Sequence, residues 1–264
     1  MRPKNLFYKI SDTINSKITG LKMTKTLLLS LAILSLTACA KEEPKINKFV
    51  CTTKPIQPIA NLKIIDKPID FGEERIAMTK EYIKTHYGKT VDNIEITPKI
   101  IVLHWTADMG LESSFNRLKP QKLLTDRKDI AKASQLNVSS QFLVARDGTI
   151  YRLMPENWMA RHVIGLNYSS IGVENVGGKD NKVDDLTPAQ RQANKDLIRY
   201  LRYKYPSIKY LIGHHEYKQM ESTSLWLEKD KGYRTVKSDP GAKFMTEMRE
   251  SVKDLLLKTP PKGK

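Results

Sequence analysis

Five histidines occur in 264 residues, and two of them stand side by side in Leu211-Ile212-Gly213-His214-His215-Glu216-Tyr217. An apolar run leads into the pair. His104 closes a second apolar run, Ile100-Ile101-Val102-Leu103. Neighbouring strands lie about 5 Å apart, so imidazoles at two strand ends can share one cation. Zinc in hydrolases takes three protein ligands from His, Asp, Glu and Cys and keeps a fourth position open. A third ligand is on offer in Lys237-Ser238-Asp239-Pro240-Gly241, where Asp239 sits at a Pro-Gly turn. The chain has no His-Glu-x-x-His, and the three residues are far apart in sequence. Spacing alone leaves two readings open, a metal centre and packed strand-end histidines. Glu174 poses a similar choice, because it interrupts the apolar stretch Ile171-Gly172-Val173-Glu174-Asn175-Val176. A charge there is costly without a partner or a task. The plainer alternative is a solvated strand carboxylate.

Such residues need strands to carry them and helices to cover the sheet. Residues 100–103 are apolar and mostly β-branched, as a buried strand requires. Residues 141–153 read as a hairpin around Asp147-Gly148, a dipeptide suited to turns with positive φ. The next strand puts Glu174 on the face opposite Ile171 and Val173. Residues 208–212 make another strand. A helix is predicted over residues 71–87, with Ile76, Ile83 and Tyr87 on one side and Gly88 as its stop. The clearest helix covers residues 186–205. Thr187 is its N-cap, Pro188 its first position, and Gln190 completes a capping box. Ala193, Leu197 and Leu201 form its core face, and Pro206 ends it. A last amphipathic helix is expected over residues 243–258. Helices alternating with strands predict one α/β (α+β) domain over residues 71–258. Residues 39–70 read as a tether and residues 259–264 as a disordered tail.

The ordered motifs Ile101-Val102-Leu103-His104-Trp105-Thr106-Ala107, the hairpin, Ala160-Arg161-His162 with Asn167, Ser170–Glu174, Gly213-His214 and Lys-x-Asp-Pro-Gly resemble the zinc-dependent N-acetylmuramoyl-L-alanine amidases of the type 2 family. The likeness extends over about residues 71–250. It implies a central mixed β-sheet flanked by helices, the fold shared with peptidoglycan recognition proteins and the T7 lysozyme. It also implies one zinc per chain on His104, His214 and Asp239, the glycine before the ligand selecting His214 over His215. Glu174 would be the general base and Lys237 the donor to the oxyanion. His162 and Asn167 match positions near the substrate groove. This chain places Val163-Ile164 between His162 and Gly165, where the family often has a single residue. Trp105 is a groove candidate, with core packing an equal alternative. Residues 216–236, with Trp226, Tyr233 and Arg234, are expected to border the groove as a loop. The implied reaction is hydrolysis of the amide joining N-acetylmuramic acid to L-alanine in peptidoglycan or muropeptides. A peptidoglycan-binding lipoprotein without catalysis is the alternative, and its expected sign would be a missing ligand.

The formal charge is +16 and the pI about 9.6, which favours polyanionic partners. No basic run is interleaved with aromatics, so nucleic acid is not expected, and no protein partner is implied. Lys25 precedes an apolar run over residues 27–38. That is short of the ~20 residues a membrane-spanning helix needs and fits the core of a signal peptide. The run ends Leu36-Thr37-Ala38-Cys39, which resembles a bacterial lipobox. The resemblance implies a signal peptide over residues 23–38, a lipidated Cys39, and attachment to the cell envelope. In a Gram-negative host this would be the periplasmic side of the outer membrane. Residues 1–22 read as an upstream extension ahead of Met23. Cys51 is the only other cysteine, so a disulfide framework is excluded once Cys39 carries lipid.

Overall fold

The computed structural model describes residue 59 and residues 62–262. The expected signal peptide, Cys39 and the expected upstream extension lie outside the described residues.

Six strands form one sheet: β1 (Ile64–Asp66), β2 (Ile100–Leu103), β3 (Phe142–Val144), β4 (Ile150–Arg152), β5 (Ser170–Asn175) and β6 (Tyr210–Gly213), in the order β1-β4-β3-β5-β2-β6. Only the β3–β4 hairpin is antiparallel; the other pairings are parallel. The expected central mixed sheet is therefore present. Its helices are α1 (Glu73–Tyr82), α2 (Leu111–Leu118), α3 (Pro188–Lys204) and α4 (Ala242–Ser251).

Strand alternation sorts the core into two layers. Ile101, Leu103, Ile171 and Val173 pack against Leu197, Ile198 and Leu201 of α3 and Phe244 and Met248 of α4. Ile100, Val102 and Ile212 face the other way, towards Tyr82, Ile83 and Tyr87. Leu143 shares that second side with Phe115 and Leu118 of α2.

The capping box of α3 forms as expected, with Thr187 Oγ1 accepting from the Gln190 amide and Gln190 Oε1 accepting from the Thr187 amide. After Tyr82 the first helix widens into a π turn over Ile83–Tyr87 and stops at Gly88, whose φ of 65° suits glycine. Two boundaries differ from expectation. β1 lies within the stretch expected to be tether, and Ile69 beside it is 3% exposed, so the fold begins before residue 71. The last helix ends at Ser251 rather than Lys258. The chain makes a short 3-10 turn over Lys253–Leu255 and then runs beside β6, where Lys258 bonds Lys209 and Leu211. Hydrogen bonding to the sheet edge replaces the last helical turns. Pro260, within the expected tail, is buried.

Candidate metal centre and its cleft

The register of the sheet assembles the site. Leu103 pairs with Val173 on one side and with Gly213 on the other. The next residue of each strand is Glu174, His104 and His214, so the three form one row on the α1 side, at the C-terminal ends of parallel strands. Ligand sites in α/β sheets gather at such ends. The backbone of His104 is fixed there: its amide donates to Val173 O at 2.9 Å, and its carbonyl accepts from Asn175 Nδ2 at 2.9 Å.

Asp239 arrives from the loop before α4. His104 Nδ1 and His214 Nδ1 are 3.0 Å apart, and Asp239 Oδ2 lies 3.1 Å from the first and 3.0 Å from the second. Tetrahedral ligands about 2.05 Å from zinc would stand roughly 3.3 Å from one another. Two imidazole nitrogens and a carboxylate oxygen at these separations fit a zinc ion with one position left open, and the three residues are buried. His214 is pushed down to about 4 by burial, against the pull of Asp239, so its imidazole is neutral at pH 7. Burial alone would raise Asp239, but His214 and His104 hold it well below the usual carboxylate range. Neutral imidazole and ionised carboxylate are the forms that bind a cation.

Glu174 Oε1 is 4.0 Å from His104 Nδ1, and the side chain keeps 16% of its surface open. Its Oε2 is buried without a hydrogen-bond partner among the described residues. Burial raises the carboxyl to about 7; Asp239 adds to this, while His104 and Lys237 oppose it. A carboxyl poised near neutrality can both take and return a proton.

A cleft of about 340 Å³ opens over this row. Lys237, His162, Asn167 and Trp105 all border it. They differ in what they present. Asn167 Oδ1 accepts from the amides of His162 and Val163 at 2.9 and 2.7 Å, and its Nδ2 has no partner among the described residues. Both ring nitrogens of His162 are engaged, one by His104 and one by Ser170. Trp105 lies mostly in the core beneath α3 and α4, its Nε1 donating to Asn181 Oδ1 at 2.7 Å. His215 turns away from the ligand cluster, and its amide and Nδ1 both meet the carbonyl of Asp239, at 2.8 and 2.9 Å. It steadies the loop that carries Asp239.

Of the loop over residues 216–236, Tyr233, Thr235 and Val236 reach the cleft. Trp226 and Arg234 do not border it; Arg234 stacks on Trp226 at 4.6 Å and pairs with Glu221. A further part of the cleft wall comes from a stretch sequence reasoning passed over. Arg117, Arg127, Ile130, Val138 and Ser139 line it. Arg161 staples this wall, donating to the carbonyls of Ser134, Leu136 and Ile130 and to Tyr233 Oη. Nothing in a basic sequence marks these arginines among the chain's 45 Lys and Arg.

A carboxylate-backed cluster of two histidines and an aspartate, open to a cleft at the strand ends, is a centre of hydrolase type. The chain belongs to the N-acetylmuramoyl-L-alanine amidase family Amidase_2, whose model matches residues 95–242. Among curated proteins, the endolysin of Klebsiella phage KP32 is 37% identical over 84 residues, which are 31% of this chain and 55% of that protein. The endolysin of Escherichia phage T7 is 39% identical over the same shares. The chain thus spans about half the length of these relatives. Among solved structures, the N-acetylmuramoyl-L-alanine amidase LysC from Clostridium intestinale URNW is 24% identical, with 74% of this chain and 99% of that chain covered and a TM-score of 0.44. The amidase AmiD from E. coli, in complex with the substrate anhydro-N-acetylmuramic acid-L-Ala-D-gamma-Glu-L-Lys, is 22% identical, with 60% of each chain covered and a TM-score of 0.40.

Proposed function

We propose that this protein is a zinc-dependent amidase that hydrolyses the bond between N-acetylmuramic acid and L-alanine in peptidoglycan or its fragments, in cell-wall turnover or recycling. The observation that carries the reading is the convergence of His104, His214 and Asp239 beside a raised Glu174. His104, His214 and Asp239 would hold the metal. Bound there, zinc would act as a Lewis acid on the scissile carbonyl and make water acidic enough to react near neutral pH.

The remaining work falls to side chains. Glu174 takes a proton from the attacking water on its carboxylate, whose Oε1 faces His104, and passes it to the departing alanine nitrogen as the C–N bond breaks. Lys237 borders the same cleft and donates to the oxygen that gains negative charge. Asn167 fixes the His162–Val163 backbone where it borders the cleft. Arg117 and Arg127 line the wall, each paired with an aspartate, Asp126 and Asp129, that a substrate carboxylate would have to displace or share. On the sequence of residues 23–39 alone, the protein is anchored in the cell envelope by lipid on Cys39. Cys39→Ser should abolish membrane attachment, and a membrane-bound variant would refute the anchor.

The direct test is digestion of a defined muramyl peptide followed by mass spectrometry. The expected products are the intact peptide with a free alanine amine and the sugar with a free lactyl carboxylate. Cleavage elsewhere, or none, would refute the proposed bond.

A further inference from the structure

We propose that His162 is a positioning residue of the metal centre, the middle link of a hydrogen-bond relay that fixes the tautomer of His104. The proposal rests on the zinc reading above. His104 can offer Nδ1 to a cation only if its proton sits on Nε2. That Nε2 lies 3.0 Å from His162 Nδ1. His162 Nδ1 must then accept, which places the proton of His162 on its own Nε2. His162 Nε2 is 3.1 Å from Ser170 Oγ, and the Ser170 hydroxyl donates to the carbonyl of Leu166 at 2.9 Å. A carbonyl can only accept. The chain therefore has one consistent direction, from His104 through His162 and Ser170 to Leu166 O, with every donor meeting an acceptor. Reversed, it would place a proton on His104 Nδ1, aimed at Asp239 instead of leaving a lone pair for the metal.

Two further features support this role. The His162 ring lies directly on the backbone of β5: a Cβ at Gly172 would stand 2.8 Å from its Cγ and 2.9 Å from its Nδ1. The glycine in Ser170-Ile171-Gly172-Val173-Glu174 thus makes room for the ring. The backbone amide of His162 is also pinned, by Asn167 Oδ1. His162 is only 9% exposed and both ring nitrogens are used, so it has no free polar atom for substrate.

The test compares zinc affinity, by competition with a chromophoric chelator, for the wild-type protein and the variants His162→Leu, His162→Asn and Ser170→Ala. Nitrogen-15 NMR of the histidine rings is recorded on the zinc-loaded wild type. His162→Leu removes the acceptor and should weaken zinc about 10–100-fold. His162→Asn sets Oδ1 near the place of Nδ1 and should recover most of that loss. Ser170→Ala should weaken zinc several-fold. The wild-type spectrum should show His162 protonated on Nε2 and not on Nδ1, a signature that needs no variant to fold. A proton on His162 Nδ1, or equal affinities for wild type and His162→Leu, would overturn the relay while leaving the metal centre intact. A wild type that takes up no zinc would overturn both.

Discussion

Glu174 carries the sharpest residue-level consequence. Its Oε2 has no partner among the described residues and its carboxyl is raised to about 7, so on the proposed mechanism replacing it removes proton transfer and leaves the proposed ligands in place. Glu174→Gln should lower kcat by about 10²–10⁴-fold and leave bound zinc unchanged. Rates on a muramyl peptide beside metal analysis of the same sample check this. Near-normal turnover would refute the base assignment. The ligand candidates could be found in the sequence because strand ends are legible: an apolar run closing on a histidine puts that ring at the rim of a sheet. What His162 and His215 bond to could not be found there. His162 has both ring nitrogens spent within the fold, and His215 holds the carbonyl of Asp239, facts of atom-to-atom facing that residue type does not encode.

Among the elements, α3 and the arginine-held wall make contrasting demands. The cap of α3 depends on a local pattern, Thr187 with Gln190, and this is why it could be read directly. Thr187→Ala should cost about 1–2 kcal/mol, measured by denaturant unfolding, because the hydroxyl also donates to Arg146 O. The wall over residues 119–139 depends on Arg161, which is 3% exposed and bonds three carbonyls and Tyr233. Arg161→Met leaves those buried acceptors unpaired and should cost about 2–4 kcal/mol. A loss below 1 kcal/mol would show that the wall stands without it. This wall has almost no regular structure, and long-range bonds from one arginine shape it, so periodicity offered no handle. β1 escaped for a related reason: three residues flanked by irregular chain carry too little alternation to register. The last helix was extended too far because its apolar spacing continues through Val252 and Leu255, although the backbone has already turned towards β6.

For the whole molecule, one buried pair ties the cleft's two walls to the body of the fold. His86, in the π turn after α1, meets Glu228 Oε1 at 3.0 Å through Nδ1 and the carbonyl of Ala133 at 3.0 Å through Nε2. Burial pulls its pKa down, but Glu228 and Ala133 outweigh it and the net shift is upward. A raised folded pKa stabilises most below the unfolded value of about 6.5, and that contribution is lost as pH rises through the folded value. Unfolding free energy should therefore fall on the alkaline side of pH 6.5, and His86→Gln should flatten the fall. An equal pH slope in the variant would remove His86 from this role. On the proposed function, hydrolysis requires a metal held by His104, His214 and Asp239. The most direct measurement is the turnover of chelator-stripped protein on a defined muramyl peptide as zinc is added back. Turnover should be absent without zinc and reach a plateau at one zinc per chain, with His104→Ala failing to recover. Full turnover by the stripped protein, or by His104→Ala, would contradict that requirement.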